Sequence, residues 1–367
     1  MKVFPEHPTL VYRPFTVNKN NYIYLADNGR IHANLDLHDE QGTGLSFYTN
    51  REDTIAKQDM TVELSRINLK EFRRILPYMP DMEGWIGAEA HYIDSGPYMM
   101  VSSDLRIDEF KYEGSALGNW ELGGVYLPGE AKDHHLDAYI RHDGEEIAHL
   151  GGIYLPAEEG TGSLSADIAF EHFPLNVANP FVPDRMVELD GDIDGTLSMK
   201  GDPAKPLLNG ELALDSVTFF MPEMSAMFHF DNEPVQVVNS KMMFKEFDIF
   251  TKGKTPFTIN GEVDFSDLER TAVNLKMHAE NYELLNAPRT KRAMVYGKMY
   301  VDFNATLRGP VEELVMRGNM NILGKTNVTY VLKDSPLTVN DRLGDMVTFV
   351  NFNDTTSVEE SSVQQIS

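Results

Sequence analysis

Val187-Glu-Leu-Asp-Gly-Asp-Ile-Asp-Gly-Thr-Leu-Ser-Met199 is the stretch that decides the fold. Val187, Leu189, Ile193, Leu197 and Met199 hold the odd positions, with Gly191 and Gly195 in phase. Glu188, Asp190, Asp192, Asp194, Thr196, Ser198 and Lys200 hold the even ones. Strict period-2 alternation predicts a strand with one apolar and one wet face. The pattern recurs in Leu136/Ala138/Ile140, Leu164/Ala166/Ile168/Phe170, Ile259/Gly261/Val263/Phe265 and Val273/Leu275/Met277/Ala279. It returns in Met299/Val301/Phe303/Ala305/Leu307 and in Met316/Gly318/Met320/Ile322. Turn signals at His142-Asp-Gly144, Glu158 to Gly162, Lys252-Gly-Lys254 and Arg308-Gly-Pro310 separate the runs. An echo, Gly123-Gly-Val-Tyr-Leu-Pro128 and Gly151-Gly-Ile-Tyr-Leu-Pro156, recurs after 28 residues and fits a repeated hairpin. The chain reads as a long antiparallel meander.

A larger repeat of about 106 residues organises it. Ile67 to Asp81 followed by Glu83-Gly84-Trp-Ile-Gly87 is echoed by Phe173 to Asp184 followed by Asp190-Gly191, and more loosely by Tyr282-Glu-Leu-Leu-Asn-Ala-Pro288 followed by Tyr296-Gly297. This predicts repeats at 1–83 (incomplete), 84–190, 191–296 and 297–350, then a polar tail, 351–367, expected to be disordered. Leu69, Phe72, Ile75, Leu76 and Met79 form a helical stripe within 69–79, ended by Pro77 and Pro80. The proline-rich second copy is expected to hold one helical turn at most. Asn340 is placed to cap a short helix carrying Leu343 and Val347.

A dozen or more strands, each apolar on one face, cannot persist as a flat open sheet. No long helices are available as cover. The expected fold is all-β: an elongated, repeating antiparallel sheet curled into an apolar groove (a β-taco), with short helical interruptions. Val187, Leu189, Ile193, Leu197, Met199, Val263, Phe265, Val301 and Phe303 are the expected inward-facing residues. Such a groove suits acyl chains, or an extended strand added at its edge.

The chain has 367 residues, 42% of them hydrophobic, and a net charge of −25, which disfavours nucleic acid and anionic membrane surfaces. With no cysteine there are no disulfides or thiolate metal sites. The 19 methionines read mainly as core filling. The start, Met1-Lys-Val-Phe-Pro, is not a signal peptide, and no apolar run of about 18 residues predicts a membrane helix. Both ends look cut, as in a segment of a longer protein.

No residues converge on catalysis. Asp190-Gly-Asp-Ile-Asp-Gly195 imitates a calcium loop, but Gly201 stands where the loop needs Glu, and strand alternation accounts for the acids. Asp133-His134-His135 reads as a polar turn, because neighbouring strand residues point to opposite faces. Ser163 and Ser165 lack a nucleophile elbow. Asn304 and Asn327 match glycosylation acceptors by a pattern common by chance. The expectation is a non-enzyme with no metal and no cofactor. A carbohydrate-binding adhesin would need aromatic platforms, and Trp85 and Trp120 are the only tryptophans.

One resemblance adds to this reading. Gly201-Asp-Pro-Ala-Lys-Pro-Leu-Leu-Asn-Gly210, Phe247-Asp-Ile-Phe250, Ile259-Asn-Gly-Glu-Val263, Tyr282-Glu-Leu-Leu-Asn286, Tyr296-Gly-Lys-Met-Tyr300, Leu307-Arg-Gly-Pro310, Arg317-Gly-Asn319 and Ser335-Pro-Leu-Thr338 are the residues behind it. Together they resemble the TamB family of AsmA-like repeating β-groove proteins, in the version found in Bacteroidetes-type bacteria. The resemblance implies a periplasmic trough tethered to the inner membrane by a helix absent from this chain. It also implies a TamA-like barrel partner in the outer membrane. The implied roles are phospholipid transport between the membranes and assembly or secretion of nascent outer-membrane proteins. The family's C-terminal portion is expected to be missing as well. A β-rich scaffold or adhesin-like repeat protein without lipid binding is the alternative.

Overall fold

Alternation of apolar and polar side chains is realised almost wherever the sequence shows it. The computed structural model describes residues 9–331, apart from 11–12, 51–55, 77, 130–131, 158–160, 183–184, 231–232, 268–269 and 290–294. The helix expected at Asn340 and the tail at 351–367 lie outside the described residues. Twenty-one strands form one antiparallel sheet. A separate two-stranded ribbon, β1 (Thr9–Leu10) with β2 (Arg13–Pro14), precedes it, and its first part comprises β3 (Thr16–Val17), β4 (Tyr22–Leu25), β5 (Ile31–His38), β6 (Gly44–Thr49) and β7 (Gln58–Asn68). Then come β8 (Met82–Asp94), β9 (Met99–Tyr112), β10 (Ser115–Pro128), β11 (His134–His142), β12 (Glu145–Leu155) and β13 (Ser163–Pro174). The next group is β14 (Glu188–Gly201), β15 (Leu207–Met221), β16 (Ala226–Phe230), β17 (Val235–Val238), β18 (Lys241–Phe250), β19 (Phe257–Asp264) and β20 (Ala272–Ala287). The sheet finishes with β21 (Val295–Pro310), β22 (Val315–Ile322) and β23 (Asn327–Tyr330).

From β4 to β15 each strand pairs with its sequence neighbours. β16 and β17 then share a single strand position, both lying between β15 and β18. β22 and β23 likewise divide the free side of β21. Among the described residues no register joins β22 or β23 to β3 or β4. The only circuit of pairings among the described residues is the local one through β15, β16, β18 and β17.

The repeat has a structural meaning. Gly84, Gly191 and Gly297 sit in β8, β14 and β21, each six strand positions after the last when β16 and β17 count as one. In the first two, the glycine faces a bulge in the next strand. Gly84 has φ +135, and a Cβ there would lie 2.9 Å from the Asp108 carbonyl oxygen. Gly191 has φ +96, and a Cβ would lie 2.6 Å from the Val217 Cα. Any side chain would push the bulged strand away.

Six register shifts centre on residues with left-handed backbone: Arg66, Glu109, His172, Ser216, Glu246 and Asn281. At four of them a side chain from the next strand takes the bulge N–H. Asn119 Oδ1 accepts from Glu109 N (2.9 Å), Asp194 Oδ1 from His172 N (2.8 Å), Asn260 Oδ1 from Glu246 N (2.8 Å) and Asp302 Oδ1 from Asn281 N (2.7 Å). Bulges bend strands and raise local twist, so a repeated series of them curls the sheet.

Helical pieces occupy the crossovers between groups. Asn68 caps α1 (Leu69–Ile75), its side chain accepting from Lys70 N at 2.9 Å. The second copy holds a seven-residue 3-10 segment, Leu175–Phe181, longer than the single turn expected. Pro180 lies inside it and removes a donor that an α-helix would use. Phe181 leans back onto Tyr112, ring centroids 4.5 Å apart. The third copy departs further: Tyr282 to Ala287 stays in β20. Arg308-Gly-Pro310, read as a turn, is instead the end of β21.

Candidate functional site: an apolar trough

Following one register across the sheet shows what the curl encloses. Leu37, Leu45, Leu64, Ala88, Leu105, Leu122, Ile140, Ala148, Phe170, Gly195, Leu212 and Val235 are cross-strand partners in succession, from β5 to β17. Every one is apolar. One residue along, the partners are Asp36, Ser46, Glu63, Glu89, Asp104, Gly123, Tyr139, His149, Ala169, Thr196, Glu211 and Gln236. Cross-strand partners share a face and successive residues alternate, so the sheet has an apolar trough face and a charged outer face.

The trough is filled at one end and open at the other. Between β15 and β21 its side chains bury one another. Phe228, Phe247, Ile249, Tyr282, Leu285 and Val301 form the core, with Phe219, Phe244, Phe257 and Phe303 packed against it. Tyr282 is 1% exposed and Val301 2%. β16 and β20, with β18 and β19 between them in the ladder, touch across the trough. Along β10 and β11 the same face is open: Leu122 is 47% exposed and Leu136 46%. There a hollow of about 360 Å³ is floored by Gly152 and Ala166 and walled by Tyr126, Leu136, Tyr154 and Met199.

The outer face carries ion pairs and hydrogen bonds. Tyr139 Oη lies 2.9 Å from both Asp104 Oδ1 and Glu121 Oε1, and Arg141 lies over its ring. Burial, then these two carboxylates, push the Tyr139 phenol up to about 12. His172, Asp194 and Asp215 bring ligand atoms within 4.8 Å of one another, but Asp194 is already engaged in holding the His172 bulge.

The sequence-predicted residues fall as follows. Leu189, Ile193, Leu197 and Met199 stand on the trough face of β14, Val263 on that of β19, and Val301 and Phe303 on that of β21. They are not one surface. Met199 borders the open hollow, Leu197 is buried beside it at 8% exposure, and Val301 and Phe303 belong to the filled core. Val187 precedes β14 beside the 3-10 segment. Phe265 follows β19, its N–H bonded to the Ser240 carbonyl at 3.0 Å.

His134 and His135 are strand residues of β11 and not a turn, since β10 and β12 pair with both. They do point apart: His134 joins Tyr126 on the trough face, and His135 bonds Asp133 outside. Asp190, Asp192 and Asp194 lie along β14. Tyr126, Leu136 and Tyr154 were missed as trough residues. The signal was present in the Gly-Gly-Val-Tyr and Gly-Gly-Ile-Tyr echo, which sets Gly124/Tyr126 and Gly152/Tyr154 in one phase.

The geometry defines a class: an open-ended, repeating antiparallel β-trough with an apolar inside and a charged outside. Residues 246–366 match the family model of the TamB C-terminal domain. Over that third of the chain the likeness is to the TamB family. The match corrects one expectation, that the family's C-terminal portion is absent: the matched model is of that portion. No curated protein and no solved structure matches the chain.

Proposed function

We propose that this chain is a non-enzymatic part of a TamB-like translocation and assembly module, and that its trough carries acyl chains of phospholipids between the two membranes. The observation that supports this most directly is the segregation of faces. Across a dozen strands the trough side is apolar and the carboxylates of a −25 chain stand outside. An apolar concavity left half-exposed in water is costly unless something apolar occupies it. The likeness of residues 246–366 to the TamB C-terminal domain supports a periplasmic site of action and an outer-membrane barrel as partner. Among the described residues no helix is long and apolar enough to cross a membrane.

The test is native mass spectrometry with lipid extraction on the chain purified without detergent. Stoichiometric phospholipid is expected. A folded, lipid-free chain would overturn the reading.

A second reading is favoured by β22. All eight of its residues are exposed, and Met316, Met320 and Ile322 continue the trough face at its border. Such an edge could receive a strand of a nascent outer-membrane protein. Site-specific crosslinking from β22 to an unfolded barrel protein distinguishes this from lipid carriage.

A further inference from the structure

The open trough is not uniformly greasy. At one end of β10, β11 and β12 the trough face changes character: Tyr126, His134 and Tyr154 meet there. The Tyr126 hydroxyl lies 2.5 Å from His134 Nδ1, and the His134 ring lies between the two tyrosines, 5.7 and 5.8 Å centroid to centroid. A Tyr126 hydroxyl donating to Nδ1 leaves the imidazole proton on Nε2, as a donor. The register then places Gly152 beside Leu136 and Ala166, so two small residues floor the hollow immediately inside this polar rim. Leu150, Leu164 and Met199 complete its apolar wall. Among the lining residues there is no carboxylate. Asp137 and Asp167, which pair with Gly151 between them, stand on the opposite face.

We propose that this hollow is a discrete seat for one phosphate-headed amphiphile, with its head on the His134 and tyrosine donors and its first chain segment over Gly152 and Ala166. The inference rests on the trough reading above and adds two things to it: a position and a head-group preference. The reasoning is one of charge and shape. A strongly acidic chain repels anions generally, yet among the described residues lining this rim there are donors and no carboxylate. A cationic head offers Nε2–H no acceptor and a neutral oxygen accepts only an ordinary hydrogen bond, whereas an anionic phosphate oxygen accepts a stronger, charge-assisted one. The hollow is comparable with the small end of ligand pockets. It therefore suits part of one chain and not a whole diacyl lipid. The remainder would run along Leu136 and Leu122 toward the middle of the trough.

The experiment titrates the detergent-free chain with two 12-carbon amphiphiles, lyso-phosphatidylglycerol and dodecyl maltoside, with calorimetry as readout and inorganic phosphate as a third ligand. The phosphate-headed probe is expected to bind at least tenfold more tightly than the maltoside. His134→Ala should remove that preference while leaving maltoside affinity unchanged. Met199→Trp, which fills the hollow from one wall, should weaken both at least tenfold with an unchanged circular dichroism spectrum. Gly152→Val fills it from the floor, but its Cβ would meet the Ala166 Cβ at 2.8 Å, so the Met199 variant keeps the test decisive if the Gly152 variant unfolds. Equal affinity for the two heads, or a preference untouched by His134→Ala, overturns the seat and leaves the general trough standing. Inorganic phosphate binding as tightly as the lipid would make this a free-phosphate site and also overturn it. No binding of either amphiphile removes the trough reading itself.

Discussion

Charges placed on the trough face should separate carriage from folding, provided they go where the trough is open. Leu197 and Phe303, natural choices from the sequence alone, are the wrong pair. Leu197 is only 8% exposed, and Phe303 packs in the aromatic core. Leu197→Asp would lose about 2–5 kcal/mol of packing and cavity energy and would also strand a carboxylate away from water. Together these rival the roughly 5–15 kcal/mol net stability of a typical domain, so Leu197→Asp is expected to unfold the chain. Leu122→Asp with Leu136→Asp is different. Each leucine is nearly half exposed, so each forfeits about half of the roughly 2 kcal/mol that full burial gives, about 2 kcal/mol for the pair. Their carboxylates keep most of their hydration. The double variant should retain a cooperative urea transition at slightly lower midpoint, yet release co-purified phospholipid in native mass spectrometry. A double variant that folds and keeps wild-type lipid stoichiometry would refute the claim that this open stretch carries acyl chains.

Three further outcomes follow from the same geometry. Gly191→Ala should cost about 2–4 kcal/mol by urea denaturation, combining left-handed strain with overpacking on Val217; Gly201→Ala, at φ +105 with open space around it, should cost about 1–2 kcal/mol, and equal costs would remove the bulge-seating role of Gly191. Asp302→Ala should destabilise by about 0.5–1.5 kcal/mol through loss of the solvent-exposed Asn281 N–H bond, while Asp302→Asn, which keeps the acceptor, should restore most of it. Asp39 gives an acid-side signature: burial works to raise its pKa, but the Thr43 and Gln41 amides and the Arg13 guanidinium outweigh it, so the carboxyl lies below its usual range. Its contribution is therefore complete above the unfolded value near 4 and is lost as pH falls through the lower folded value, and Asp39→Asn should flatten that part of a stability–pH curve.

Most of the fold was legible because alternation is a local property. A strand that must place one face inside writes that need into every second residue, as in Leu189 to Met199. The repeat glycines were visible too, although their reason was not. Gly84 and Gly191 are required by bulges at Glu109 and Ser216, about 25 residues further along the chain in an adjacent strand. The third copy loses its helical piece for a related reason. Tyr282-Glu-Leu-Leu-Asn-Ala has helix-compatible residues, but Tyr282, Leu285 and Ala287 pair with Val301, Met299 and Gly297, and tertiary pairing overrides propensity. The candidate site was least legible. Alternation says which face a residue occupies but not whether that face is filled, which depends on contacts between strands several positions apart.

That difference bears on how such a trough can work. If acyl chains slid along a uniform floor, the inward face would be equally accessible throughout. Here it is not. From β15 to β21 the aromatic side chains already satisfy one another, with Phe219 stacked on Phe228 at 4.5 Å and Phe257 between Tyr282 and Phe303. An acyl chain entering that stretch must displace those contacts or travel above them. Along β10 and β11 the face is open, with Leu122 and Leu136 nearly half exposed and Gly124, Gly152 and Ala166 leaving the floor low. On the proposed lipid path the free energy would therefore be stepped: a resting place beside Tyr126 and His134, then a barrier at the β15–β21 core. Widening that core would mean separating β16 from β20, which no strand ladder holds together. Only side-chain packing closes it, and side-chain packing is what an incoming chain of CH₂ groups can replace nearly one for one.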